Sequence, residues 1–341
     1  MQAWRIHEWG GAPVLEEIER PRPRAGEVLV AVEACGIGLT VLNYMGGNMA
    51  RDPALLPRVP GHEYVGRVIE VGAGVDPSLE GTRVLAYFYL SCGTCDRCTG
   101  GDESRCRNPA GRIGVHLDGG YAPFAVMPAF NAIPVSEDIP AELATVIPDA
   151  VATPVHVAAR AGIVPGDRVV VIGAGGGVGI HMVQVAALQG ARVVGLEANG
   201  DKLAEIEALG VEARKVDDIA LVDAASLVGG HAPTVVVDFV GTKQTLEWGI
   251  QSLETGGRMV CVTTFPDRSM DLNPRDLVRR EASVIGSRYA SRAQVAHAAS
   301  LVAGGAIRPV VGRVAEAPAV PDVHESIRAG TLLGRGALVW N

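Results

Sequence analysis

A chain of 341 residues is longer than one compact core of average size, so two domains are expected. Apolar residues make up 48% and charged residues 20%, an ordinary globular balance, and a net charge of −8 without any basic run excludes a nucleic-acid surface. No apolar stretch reaches the roughly 18 residues of a membrane span, and the opening residues, Met-Gln-Ala-Trp-Arg-Ile-His-Glu, lack a signal-peptide core, so the expectation is a cytoplasmic protein.

From the N-terminus, short strands are expected at Glu27–Glu33, Tyr64–Val71, Arg83–Tyr89 and Tyr121–Val126, between Gly and Pro turns and without long helical periods. Such a pattern describes a β-rich, partly barrel-like domain. Within it, Cys92, Cys95, Cys98 and Cys106 follow the spacing Cys-x2-Cys-x2-Cys-x7-Cys. Four thiolates from one loop can converge on a tetrahedral ion and close its shell, leaving no site for substrate. Disulfides are the poorer explanation in a reducing compartment. One structural zinc per chain is therefore expected. Helices follow, one starting near Pro140 and running through Ala144–Ile147, another over Thr153–Ala161.

Pro165-Gly166-Asp167 then turns into Val169–Ile172, whose β-branched residues suit a buried parallel strand. A glycine turn comes next, with Gly173, Gly175, Gly176, Gly177, Val178 and Gly179, and a helix rich in Ala, Leu, Met and Gln leads to Gly190. Strand, glycine turn and helix make an arrangement that holds a pyrophosphate, because the backbone can approach it and the helix N-terminus offers unpaired N–H groups. The next strand ends at Glu197, roughly 20 residues beyond the glycines, where a dinucleotide fold keeps the acid that binds ribose hydroxyls. Lys202 could reach the same ribose. Ala198-Asn199-Gly200 supply no arginine for a 2′-phosphate, so NAD(H) is expected over NADP(H). Strands at Val235–Val240, Arg258–Val262 and Val284–Ser287 complete a doubly wound parallel α/β sheet. A helix at Ser291–Ala303 and strands at Val310–Val314 and Gly336–Trp340 are expected to return to the first domain.

The four-cysteine lobe, Pro60-Gly61-His62-Glu63 followed by Gly66-Arg-Val, Asp118-Gly-Gly-Tyr-Ala122, and the glycine turn with Glu197 and Lys202 together resemble one family. It is the zinc-type medium-chain dehydrogenase/reductases, the alcohol dehydrogenase superfamily, and the resemblance covers essentially the whole chain. It implies a GroES-like catalytic domain over residues 1–152, with the zinc lobe at about 91–107, and a Rossmann domain over 153–290. Residues 291–341 would complete the catalytic domain. It also implies hydride transfer between nicotinamide and a carbon centre, and a homodimer or homotetramer.

The catalytic zinc site departs from the family pattern Gly-[Ile/Val]-Cys-x-[Ser/Thr]-Asp. Here the run is Gly36-Ile-Gly38-Leu-Thr40-Val41, so Gly38 stands for the thiolate ligand and Val41 for the aspartate that orients the histidine ligand. Asn43 stands where many members carry a proton-relay histidine. His62, Asp149 and Thr40 match the remaining ligands and the proton-passing hydroxyl. Joint loss of ligand, orienting acid and relay points to a site without catalytic zinc, with Glu63 or Cys35 as the two residues able to repair it. In such a site Thr40, His62 and Asp149 would handle the proton, and Tyr87 is a further possible donor.

Three functions are consistent with these residues. The first is an NAD(H)-dependent oxidoreductase acting on a small alcohol/carbonyl pair. The second is a zinc-independent reductase of a C=C bond conjugated to a carbonyl, with an enone as substrate. The third is a nucleotide-binding protein without catalysis.

Overall fold

The computed structural model describes residues 1–340. Its chain forms two units, Met1–Ala152 together with the segment from Ala290 onward, and Thr153–Tyr289.

The first unit is organised by the long strand Glu27–Ile37 in a seven-stranded sheet. Val28, Leu29 and Val30 have no exposed surface, as expected for a strand flanked on both sides. This strand pairs antiparallel with Tyr64–Val71, Phe124–Pro128 and the closing strand Arg335–Val339. Its register decides what meets what. Gly36 donates its N–H to the Glu63 carbonyl at 2.6 Å, and Gly336 lies opposite Ile37. One step further along the two strands, Arg335 arrives beside Gly38.

Tyr64–Val71 forms over the residues expected. The expected strand Arg83–Tyr89 is instead broken into Arg83–Ala86 and Tyr89–Leu90, the latter pairing with Gly111–Arg112 in a separate ribbon. Asn131 causes the break, because its carbonyl takes the Tyr87 N–H (2.8 Å) and its side-chain amide donates to the carbonyls of Tyr87 and Tyr89. The strand expected from Tyr121 starts at Phe124, since Tyr121 bonds outside the sheet to Pro60 and Pro123 has no N–H to give. The helix expected near Pro140 is split into Ala141–Ala144 and a π-turn at Ile147–Val151. In that turn Val151 donates to the Val146 carbonyl at 2.9 Å, one residue further than an α-helix allows. Such widened turns redirect side chains and recur at functional sites.

The second unit is a six-stranded parallel sheet with the spatial order third, second, first, fourth, fifth, sixth. Its first strand, Arg168–Ile172, lies between Arg192–Glu197 and Val235–Asp238. Val169–Val171 and Val235–Val237 are wholly buried, so their unbroken apolar runs reflect cover on both faces. The edge strand Glu212–Lys215 was not expected, because Glu-Ala-Arg-Lys carries no apolar signal. Beneath the sheet Val170, Leu196, Val236, Leu246, Trp248 and Met259 share one core.

Asp167 ties the start of the first strand to its neighbours. Its carboxylate accepts from Thr234 Oγ1 (2.7 Å), the Val164 N–H (3.0 Å) and Arg258 Nη2 (2.6 Å). Burial alone would raise its pKa, but these donors together hold it below the usual aspartate value. Its stabilising contribution is thus present above the unfolded-state pKa and is lost as pH falls through the folded one. Asp167→Asn is expected to cost about 1–3 kcal/mol in urea melts at neutral pH. The gap to wild type should close at acid pH, below the range where a free aspartate titrates.

Candidate active site

In the first unit, His62, Glu63 and Asp149 bring one ligand atom each to within 4.8 Å of one another. All three are buried. The sequence Pro60-Gly61-His62-Glu63 leads into the Tyr64 strand, so His62 and Glu63 sit at the strand entry, and the π-turn presents Asp149 to them. His62 Nε2 is 3.6 Å from Asp149 Oδ2, too long for a hydrogen bond, and among the described residues neither imidazole nitrogen has a hydrogen-bond partner. The ring is wedged between Tyr44 and Phe88, with centroids 5.0 and 4.6 Å away. Thr40 lies half-buried on the first turn of the helix Leu39–Met45, and Val41 beside it is fully buried.

A fourth charged group enters the same cluster. Arg335 Nη2 is 3.1 Å from Asp149 Oδ2 and 3.2 Å from Glu63 Oε1, and only 3% of Arg335 is exposed. Burial raises the Glu63 pKa, and the Arg335 guanidinium opposes that rise. Arg335 also fills the space in front of Gly38: a Cβ built there would stand 2.5 Å from the guanidinium carbon and 2.9 Å from Nε. Cys35 takes no part, since its sulfur is not among the converging atoms and lies next to Gly61. Tyr87 is also spoken for, because its hydroxyl donates to the Ala290 carbonyl at 3.1 Å.

In the second unit, Gly173 has φ +78°, and at Gly179 a Cβ would lie 2.9 Å from the Gly173 carbonyl carbon. Both positions need glycine for the tight passage from strand to helix. Gly175, Gly176, Gly177 and Val178 lie between them, and the helix runs over Gly179–Leu188. His181 Nδ1 is 2.8 Å from the Gly177 carbonyl, which can only accept, so that nitrogen carries a hydrogen and braces the turn. Glu197 ends its strand facing this turn. One of its oxygens accepts the Gly175 N–H at 2.8 Å, and the other the Asn199 N–H at 3.0 Å. Lys202 is buried close by; desolvation lowers its pKa and Glu197 resists that. Glycine spacing and a carboxylate aimed at the turn fit a dinucleotide.

The cysteine lobe fits a tetrahedral ion. Sulfur separations are 3.5 Å for Cys95–Cys98, 3.9 Å for Cys92–Cys98 and 4.0 Å for Cys95–Cys106. A zinc–sulfur bond of about 2.3 Å in tetrahedral geometry sets sulfurs about 3.8 Å apart. Backbone N–H groups of Thr94 and Cys95 bring the Cys92 thiol down to about 6, so thiolate is already favoured there.

Comparison with known proteins agrees with both units. The alcohol dehydrogenase GroES-like domain matches residues 24–137, and the zinc-binding dehydrogenase domain matches residues 177–304. An alcohol dehydrogenase of Geobacillus stearothermophilus is 32% identical over 98% of both chains. The chain belongs to the zinc-type alcohol dehydrogenase family. An acryloyl-coenzyme A reductase of Metallosphaera sedula is 31% identical over 94% of both chains. The solved thermostable alcohol dehydrogenase of Pyrobaculum aerophilum superposes with a TM-score of 0.88, at 29% identity and 99% cover of each chain. Like its relatives, this dehydrogenase is an oxidoreductase, and among its described residues no helix is long and apolar enough to cross a membrane.

Arg335 escaped sequence reasoning. Its signal was a single charge at the head of an apolar closing strand, Arg335-Gly-Ala-Leu-Val, with the expected strand starting one residue too late at Gly336. For the cysteine lobe, elemental analysis of this dehydrogenase as purified is expected to show zinc bound by Cys92, Cys95, Cys98 and Cys106. Cys98→Ser should release it and lower the melting temperature before it alters chemistry, because structural zinc contributes directly to folding. Full zinc retention in that variant would refute the assignment.

Proposed function

We propose that the protein transfers hydride between NAD(H) and a small alcohol/carbonyl substrate, with Thr40, His62 and Asp149 handling the proton. The observation that carries this reading is His62, buried yet with neither ring nitrogen hydrogen-bonded. A polar ring buried in this way calls for a partner, and a substrate oxygen can supply it. The His62 ring, 3.6 Å from the Asp149 carboxylate, would donate to the substrate oxygen as hydride addition builds charge there.

NAD(H), when bound, supplies or accepts the hydride. The turn from Gly173 to Gly179 would hold its pyrophosphate, Glu197 would accept from the ribose hydroxyls with its remaining lone pairs, and Lys202 would border the same ribose. A 2′-phosphate would meet the Glu197 carboxylate at close range, which favours NAD(H). Lys215, opposite Glu197 in the neighbouring strand, is paired with Asp217 at 2.8 Å rather than turned to that carboxylate. A homodimer or homotetramer in the cytoplasm is part of the same reading.

A second reading, reduction of a conjugated C=C bond in an enone, is favoured by the 31% identity to an acryloyl-coenzyme A reductase. There hydride goes to carbon, and the oxygen needs only a hydrogen bond. NADH oxidation measured on a ketone and aldehyde panel against an enone panel decides between them. Activity confined to enones would overturn the carbonyl reading, and NADH binding without turnover on either panel would overturn both.

Two variants test the residues. His62→Ala is expected to lower kcat by ~10²–10⁴-fold, the range of a lost general acid, with little change in NADH affinity. Glu197→Ala should narrow the preference for NADH over NADPH by weakening the first and admitting the second. Equal kcat/KM for the two cofactors in the wild type would contradict this role for Glu197.

A further inference from the structure

The family's catalytic zinc does not fit the first unit as it stands. Gly38 provides no thiolate, and the volume such a side chain would enter is filled by the Arg335 guanidinium. His62, Glu63 and Asp149 converge closely enough to suggest a metal, but two of these three already face Arg335 Nη2 at 3.1 and 3.2 Å. The two carboxylates therefore already share one positive charge. A divalent ion coordinated by the same oxygens would be pressed against a guanidinium with no exposed face to retreat to.

We propose that Arg335 is the resident cation of this site, standing where the family keeps zinc, and that it excludes a second metal. The antiparallel register makes the exchange direct. Gly336 lies opposite Ile37, so the side chain of the preceding residue falls on the side chain missing from Gly38. Arg335 then acts as a positioning residue. It holds Asp149 by a hydrogen bond to Oδ2, the oxygen that faces His62 Nε2, and it balances Glu63. Neither a thiolate at residue 38 nor a metal is compatible with this arrangement unless the arginine leaves. The inference rests on the reading in which Thr40, His62 and Asp149 handle the proton without a catalytic zinc, yet it is read from metal content without substrate, so the two can fail separately.

The test is total zinc per chain after dialysis against a modest excess of zinc, for wild type, Arg335→Gln and Arg335→Lys. Melting curves establish that each variant is folded. Wild type and Arg335→Lys, which keeps a cation, are expected to hold one zinc, that of the cysteine lobe. Arg335→Gln should rise to two, the second reaching His62, Glu63, Asp149 and water. Replacing the added ion by cobalt(II) should then give Arg335→Gln a visible absorption band absent from wild type. Two zincs in the wild type would overturn the proposal whether or not any variant folds. A folded Arg335→Gln that stays at one zinc would overturn it as well. If Arg335→Gln does not fold, the double variant Gly38→Cys/Arg335→Ala, which restores the thiolate and clears its space, takes its place with the same expected rise and the same reading of a failure to rise.

Discussion

Arg335, Glu63 and Asp149 come from three segments far apart in the sequence, and each can be buried only because the others are there. An isolated charge moved into a protein interior costs several kcal/mol, and removing one partner of a buried pair typically costs about 3–5 kcal/mol. The structure meets that cost by geometry. The closing strand delivers the guanidinium at its first residue, the Tyr64 strand delivers Glu63 just before its start, and the π-turn delivers Asp149. Strand register and helix irregularity are therefore not decoration around this site; they are what makes its charges compatible. Glycine at position 38 is part of the same constraint, since any side chain there would drive the guanidinium from its two carboxylates.

The nucleotide turn shows a related economy. Glu197 lies against the glycine turn and takes N–H groups from Gly175 and Asn199, so its orientation is set before any ligand arrives. A carboxylate fixed by backbone donors loses little freedom on accepting ribose hydroxyls, which is the advantage of preorganisation. His181 adds to this by holding the Gly177 carbonyl. The residues that would touch the cofactor and the residues that shape the turn are thus largely the same, and the strand Arg168–Ile172, anchored through the Asp167 network, carries them.

How far these features were readable in the sequence depended on their range. The parallel strands, the glycine turn with Glu197, and the four cysteines are local signals, written in composition and short spacing, and they form where expected. Tyr64–Val71 was legible for the same reason. The failures are long-range. Nothing in Arg83–Tyr89 announces that Asn131, more than forty residues on, will interrupt it. Tyr87 looked available as a donor because its acceptor, the Ala290 carbonyl, belongs to a remote segment. Arg335 is the sharpest case. The loss of the thiolate at Gly38 was plain, yet the group that fills the gap lies nearly three hundred residues away and is brought there by sheet register. Pattern reasoning finds missing ligands more readily than their replacements.

The proposed replacement bears on chemistry as well as on architecture. Zinc polarises a carbonyl by direct coordination, with two charges focused on one oxygen. Arg335 carries a single delocalised charge, already shared between two carboxylates, and its hydrogen bond goes to Asp149. At roughly 4 Å and an effective dielectric near 20, two unit charges interact by about 4 kcal/mol. A divalent ion beside the guanidinium would be opposed by roughly twice that, while each carboxylate would attract it by a similar amount, so the proposed exclusion rests on the space Arg335 fills as much as on its charge. On the proposed zinc-free reading, the electrophile left to the substrate oxygen would be a hydrogen-bond donor such as His62 or Thr40. Donors of this kind stabilise a developing oxyanion less strongly than a coordinated metal, and they suffice most readily when the negative charge is spread over a conjugated system. On that reading, the arginine that offsets charge on Glu63 and Asp149 would narrow the substrates that the site can activate, toward carbonyls already polarised by their neighbours.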